Sequence, residues 1–206
     1  MSIVLYHHPH SRAANVVWML EEVGVPYELE YTDLYAGSQK TPEFLAMNPM
    51  GKLPLLKDGE LLITEGAAIG LYLADRYAAG RLAPALDDPA RGTYFRWALF
   101  APSVVEPAAM SKMSNWDYKP SNAGWGDFES MLRSLEAAVT PGPYLLGDRF
   151  SMADVILGGT LGYMLEFKMI EARPAFTEYV GRLTAREASQ RAEAKNAAVG
   201  QEHGVG

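Results

Sequence analysis

Asn48-Pro49-Met50-Gly51-Lys52-Leu53-Pro54-Leu55-Leu56, with Glu65-Gly66-Ala67-Ala68-Ile69 nine residues further on, organises the reading of this chain. A Pro-Gly loop empties into a short apolar strand that starts at a proline. Pro54 has no amide hydrogen, so it fits the first residue of a strand or a sheet edge. An X-Pro bond at a turn is also where a cis peptide occurs. Either geometry leaves the backbone N–H and C=O of Leu53 unpaired and facing outward, where a peptide can add itself as an extra strand. A cis Leu53-Pro54 bond is expected, because it turns that backbone toward a ligand while the strand stays in its sheet. Lys52 supplies a cation beside it, and Glu65, at the start of a helix, supplies an anion. Backbone pairing with one cation and one anion suits a small zwitterionic peptide.

Upstream, Ile3-Val4-Leu5-Tyr6 is a β-rich run, and a helix is expected from Ser11 to about Glu22 with the Ser11 hydroxyl as its N-cap. Residues 27–31 alternate apolar and polar, as a half-buried strand does. Thr41 caps a second helix that has Pro42 at its first position. Residues 53–57 and 61–64 flank Asp58-Gly59-Glu60, a tight hairpin signal, and residues 67–77 read as helix. Arg81-Leu82-Ala83-Pro84 opens a linker over 81–88, which divides the chain into a domain at 1–80 and another at 89–206. Beyond the linker only helical patterns occur. Pro102 and Pro107 fall inside a long one and are predicted to kink it. Residues 114–126 read as a loop and 127–139 as an amphipathic helix. Ser151-Met152-Ala153-Asp154 has capping-box spacing and opens an apolar helix through Phe167. Residues 175–191 return to helix, and the last ten residues are expected to fray.

Of the 206 residues, 49% are hydrophobic, enough for a substantial core, and the formal charge is −7. Residues 1–80 carry 5 basic and 10 acidic side chains, which leaves no footprint for nucleic acid or an anionic membrane. No apolar run is long enough to span a bilayer, and the N-terminal stretch lacks a signal-peptide core. With no cysteine there is no disulfide framework, thiolate metal site or cysteine nucleophile. A cytoplasmic address is the simplest reading.

Taken in order, these segments resemble the glutathione transferase family along nearly the whole chain. Leu5-Tyr6 through Ser11-Arg12, then Trp18-Met19-Leu20-Glu21-Glu22-Val23-Gly24-Val25-Pro26-Tyr27-Glu28, is similar to its first strand, first helix and second strand. Pro42-Glu43-Phe44 before Asn48-Pro49 matches its second helix. Tyr144-Leu145-Leu146-Gly147-Asp148-Arg149-Phe150-Ser151-Met152-Ala153-Asp154 resembles the structural signature of its helical domain. The resemblance implies a fold of the class α/β plus all-α: a thioredoxin-like domain in the order βαβαββα, followed by a helical bundle. It also implies glutathione as co-substrate, addition of its thiolate to a small hydrophobic electrophile in detoxification, and a homodimer. The alternative is a non-catalytic relative used as a binding or assembly module.

Glutathione enzymes act by making the bound thiol a thiolate, which is the nucleophile. A free thiol, with a pKa of roughly 8.5, is mostly protonated at neutral pH. A hydroxyl donor and a helix N-terminus both lower that value. Ser11 stands where serine-type, bacterial-type members place the donor, and Tyr6 where tyrosine-type members place theirs. Arg12 is either a helper of thiolate formation or a partner of a glutathione carboxylate. Residues 9–12 are Pro-His-Ser-Arg, so cysteine-type chemistry is excluded. For binding, the resemblance assigns the cysteinyl segment to Leu53 and Pro54, the γ-glutamyl end to Glu65 and Gly66, and the glycyl end to Lys52 and Gln39. Gly66 departs from the family's usual serine, which removes a hydroxyl ligand worth ~1 kcal/mol. His7, His8 and His10 invite a metal reading, but adjacent strand positions face opposite ways, and no metal is assigned. Trp116, Tyr118 and Trp125, with Phe100, Val105 and Met110, line an acceptor pocket or are ordinary packing.

Overall fold

The computed structural model describes residues 3–205. Strands β1 (Ile3–His7), β2 (Tyr27–Tyr31), β3 (Leu55–Asp58) and β4 (Leu61–Thr64) form one sheet in the order β2-β1-β3-β4. β1 and β2 run parallel, a pairing that needs a crossover, and α1 (Ala13–Val23) supplies it. β3 returns antiparallel to β1, and β4 antiparallel to β3. The hairpin between them is as tight as expected, with Gly59 at φ +62° taking the left-handed turn position. α2 (Pro42–Met47) starts as read from the sequence: the Thr41 hydroxyl accepts the Phe44 amide. α3 (Gly66–Tyr77) follows β4. Alternation along β1 puts Ile3, Leu5 and His7 on the buried face and leaves Val4 and Tyr6 half-buried. The Tyr6 ring meets Phe44 of α2 edge-on at 5.9 Å.

Residues up to Tyr77 together with those from Arg186 form one compact unit, and Ala78–Ala185 form the other. This division departs from the expected boundaries at both ends of the helical domain. Segment 81–88 is no free linker, because Leu82 is buried and its carbonyl accepts the Met152 amide at 2.8 Å. The expected helix over 175–191 is two: α8 (Pro174–Thr184) and α9 (Glu187–Glu202), separated where Arg186 turns extended (ψ 139°). α9 belongs with the sheet and packs on α1. Arg186 forks onto Glu22, with Nε–Oε1 2.7 Å and Nη2–Oε2 2.9 Å. Arg191 and Lys195 each reach Glu21 at 2.7 Å, and Asn196 Oδ1 lies 2.8 Å from His7 Nε2. The tail therefore does not fray: His203 stacks on Tyr31 at 3.6 Å, and the Val205 amide bonds to Gly200 O at 2.9 Å. Gly206 lies outside the described residues.

The helical unit contains α4 (Ala90–Phe100), α5 (Glu106–Met113), α6 (Phe128–Val139), α7 (Met152–Glu166) and α8. Around Pro102 the chain adopts a π-helical segment over Ala101–Val105 in place of a plain kink, closed by the Glu106 amide reaching back to Ala101 O. A wider turn lets the helix pass a residue that has no donor. Pro107 follows at the second residue of α5, which runs on from that segment without a break. Ser151 and Asp154 open α7 with the expected reciprocal cap, Asp154 Oδ2 accepting the Ser151 amide at 2.9 Å. α7 and α8 approach closely at Gly158, where an added Cβ would stand 2.2 Å from Leu183.

The charge clasp on α9 carries a pH prediction. Burial pushes the Glu21 carboxyl up, but Lys195, Arg191 and the Tyr27 hydroxyl outweigh it and hold it at about 2, below the ordinary 4.5. With the folded value depressed, its contribution is complete above pH 4.5 and disappears as the pH falls toward 2. Glu21→Gln is expected to lower stability at neutral pH by about 1 kcal/mol once solvent screening is counted, a shift of about 2–4 °C. Melting curves of the two proteins converge on acidification. A gap that persists unchanged into acid would show that Glu21 contributes by packing instead.

Candidate functional site

Strand register gathers the candidate residues at one end of the sheet. Tyr6 pairs with Leu55, and Leu55 with Thr64, so the end of β1, the start of β3 and the end of β4 lie side by side. The segments leaving those points carry Ser11, Leu53-Pro54 and Glu65 respectively. His7 pairs with Tyr31 at the end of β2, so the segment bearing Gln39 leaves from the same end.

The Leu53-Pro54 bond is cis, as expected. Pro54 is buried and Leu53 half-buried, with β3 starting only at Leu55. The loop before it is built on Asn48, to which the sequence reading assigned no role of its own. Its buried side chain donates to Lys52 O at 2.8 Å and accepts the Met50 amide at 3.2 Å. Gly51, at φ +56°, lets this loop press against a 3₁₀ turn, Ser38–Lys40. An added Cβ there would stand 2.8 Å from Gln39 O. Gln39 and Lys52 are thus brought onto adjoining loops. Gln39 Oε1 is buried and, among the described residues, accepts no hydrogen bond. The Lys52 side chain is exposed. Lys40, which sequence reasoning did not single out, donates to Met50 O at 3.0 Å and adds a second cation to this corner.

Glu65 is exposed and sits at φ +65°, a conformation that only glycine adopts freely. It comes immediately before α3, so Gly66 stands in the first turn, where free amides face an anion. A Cβ on Gly66 would meet open space, so the missing serine hydroxyl is no steric necessity.

The structure corrects one local expectation. α1 begins at Ala13 with Arg12 at the N-cap, and Ser11 lies a residue ahead of the helix. Ser11 is drawn instead into a turn with His8, whose carbonyl accepts both the Ser11 amide (3.1 Å) and the Ser11 hydroxyl (2.8 Å). The same hydroxyl oxygen accepts the Ala13 amide at 3.1 Å, which makes its hydrogen a better donor. Ser11 is half-buried and Arg12 exposed. The histidines have separate partners: His7 meets Asn196, His8 Nδ1 accepts the His10 amide, and His10 Nδ1 lies 3.1 Å from the Tyr35 hydroxyl. In the helical unit Val105 is wholly core. Trp116, Tyr118 and Trp125 gather on one loop, with ring centroids 6.5 Å and 5.8 Å apart. Among the described residues no helix is long and apolar enough to cross a membrane.

Residues 1–75 match the family profile "Glutathione S-transferase, N-terminal domain", and residues 105–182 match "Glutathione S-transferase, C-terminal domain". Glutathione S-transferase 3 of Zea mays is 31% identical over 163 residues, covering 73% of this chain and 72% of the maize protein. A glutathione transferase from Methylococcus capsulatus superposes with a TM-score of 0.77 at 28% identity, covering 95% of this chain and 99% of that one. A glutathione transferase homolog from Sulfitobacter, solved with bound glutathione, gives 0.75 at 26% identity over 94% of this chain and 98% of its own.

Proposed function

The chain belongs to the glutathione S-transferase family, and from that premise we propose that it is a serine-type enzyme in which Ser11 makes the glutathione thiol a nucleophile. The protein is a glutathione transferase, and its substrates are small hydrophobic electrophiles. The observation that carries the serine assignment is the turn at Ser11, whose hydroxyl is already polarised by the Ala13 amide. Ser11 turns its hydroxyl hydrogen from His8 O to the sulfur and stays neutral, so no buried charge is needed. Amides at the start of α1 add a favourable potential for an anion. Leu53 offers its backbone to the cysteinyl segment, and Glu65 with the Gly66 amide holds the γ-glutamyl end. Lys52 holds the glycyl carboxylate, and Gln39 faces the glycyl end with an oxygen that can accept its amide. Lys40 adds a second cation, and Arg12 stands next to Ser11 as a helper of thiolate formation or a carboxylate partner. The test is a thiol-conjugation assay with an aryl halide on the Ser11→Ala variant, developed in the Discussion.

Glu65 allows the anchor to be separated from the fold. Glu65→Gly removes the carboxylate and relieves the positive φ. Stability is expected to hold or rise by up to ~1 kcal/mol. Glutathione affinity is expected to fall about ten- to a hundredfold, the worth of a charge-assisted bond. Calorimetry showing unchanged affinity would remove Glu65 from the site.

The assembly is a homodimer with a cytoplasmic address. Edge strand β4 leaves Leu61 and Leu62 in solvent, 47% and 39% exposed, apolar surface that a twofold partner would cover. Sedimentation is expected to report twice the 22.6 kDa chain mass. A concentration-independent monomer would end this reading.

A further inference from the structure

We propose that His8 is a positioning residue for thiol activation: its ring Nδ1 holds the turn that sets where the Ser11 hydroxyl stands. The proposal rests on Ser11 as the activator. The turn has two layers of hydrogen bonds. The inner one is the His8 carbonyl, which accepts the Ser11 amide and hydroxyl at 3.1 Å and 2.8 Å, so the plane of that peptide aims the serine. The outer one is the His8 ring, whose Nδ1 accepts the His10 amide at 3.1 Å and closes the loop two residues ahead, as an Asx side chain does. The ring is fully buried and held from three sides. Tyr31 of β2 stacks on it at 5.6 Å, and Tyr35 and His10 meet it edge-on at 5.3 Å and 5.6 Å. Tyr31 is itself backed by His203 from the end of α9.

Nδ1 accepts only while the imidazole is neutral. Its proton then resides on Nε2, which is buried and unpartnered among the described residues. A second proton would sit on Nδ1 against the His10 N–H, two donors facing each other. Burial first, then the neighbouring His10 and His203, hold the His8 pKa below the usual 6.5, while Asp33 pulls the other way. Tyr31, Tyr35 and Ser11 are the other polar groups around it. The acceptor is therefore intact at neutral pH and lost on mild acidification. Below that point activity falls with two protons, one on the thiol and one on His8.

The experiment compares native protein, His8→Leu, His8→Asn, Ser11→Ala and the Ser11→Ala/His8→Leu double variant. Aryl-halide conjugation is followed across pH, the bound thiol is titrated by thiolate absorbance, and glutathione Kd is measured by calorimetry. His8→Leu is expected to raise the bound thiol's pKa and slow conjugation about three- to tenfold at neutral pH, with Kd unchanged. His8→Asn, whose Oδ1 can take the same amide, recovers most of that rate. Its acid limb has a slope of one throughout, where the native protein steepens to about 1.3–1.5 over the pH range in which His8 takes up its proton. The double variant is no slower than Ser11→Ala, since His8 acts through the serine. The proposal is overturned if His8→Asn is as slow as His8→Leu, because stacking and not Nδ1 would then matter. It is equally overturned if the native acid limb never exceeds a slope of one, a reading that stands even if His8→Leu fails to fold. If Ser11→Ala leaves the thiol pKa in place, the serine assignment itself fails. If Ser11→Ala shifts it and both His8 variants do not, only the role of His8 fails.

Discussion

Ser11→Ala is expected to slow conjugation about a hundredfold at neutral pH, the usual cost of removing one donor from a developing or resting anion. Glutathione affinity is expected to stay nearly unchanged. The two effects separate because, in the proposed site, Leu53, Glu65, Lys52 and Gln39 hold the peptide while Ser11 meets only the sulfur. The substitution is mild for the fold: the amide of residue 11 still donates to His8 O, and only the hydroxyl bonds to His8 O and from Ala13 are lost. The bound thiol's pKa moves up, so the deficit narrows as the pH is raised and the thiolate forms unaided. Tyr6→Phe is the control. The Tyr6 ring is packed against Phe44, and its loss of a hydroxyl is expected to cost less than about threefold. A result the other way round, with Tyr6→Phe inactive and Ser11→Ala active, would make this a tyrosine-type enzyme.

The largest expected loss of stability is at Asp154. Its carboxylate is fully buried in the helical unit. It accepts the Leu145 amide at 2.8 Å and the Tyr179 hydroxyl at 2.9 Å on one oxygen. The Ser151 amide and hydroxyl, at 2.9 Å and 3.0 Å, bond to the other. Asp154→Ala strands these donors in a dry interior at ~1–3 kcal/mol each, so the total is expected near 4 kcal/mol after relaxation. For a chain of this size that lowers the melting temperature by about 8–16 °C. Asp154→Asn keeps the shape and one acceptor but turns an NH₂ toward two donors, and is expected to fall between. A loss below about 1 kcal/mol for alanine would mean that water reaches the site and that the buried cap is not what holds α7 to its surroundings.

Much of this was legible in the chain, for identifiable reasons. The four strands alternate or are flanked by strong turn residues, and Thr41-Pro42 and Ser151-Asp154 are caps whose chemistry is local. The cis Leu53-Pro54 bond was expected from the need to turn Leu53's backbone outward beside a strand, which starts one residue later, at Leu55. Harder to read was the N-cap of α1: Ser11 is a better capping residue than Arg12 in isolation, but a local turn back to His8 claims its hydroxyl. Asn48 was illegible as a scaffold because its partners, Met50 and Lys52, appear only once the loop closes. The allegiance of α9 was hidden most deeply. Its sequence, EASQRAEAKNAAVGQE, has no apolar stripe to declare a docking face. It is held by alanines and by charges whose partners, Glu21 and Glu22, lie more than 160 positions earlier.

That discontinuous sheet unit has a consequence for how the protein comes into being on the ribosome. The first 77 residues leave the exit tunnel as a nearly complete sheet with α1 and α3, yet the helix that covers α1 is not synthesised until residues 187–202. At about 5–20 residues per second the interval is roughly 5–20 seconds. Throughout it the flank of α1 bearing Glu21 and Glu22 waits without its lid. The sheet unit is thus begun before the helical unit and completed only after it.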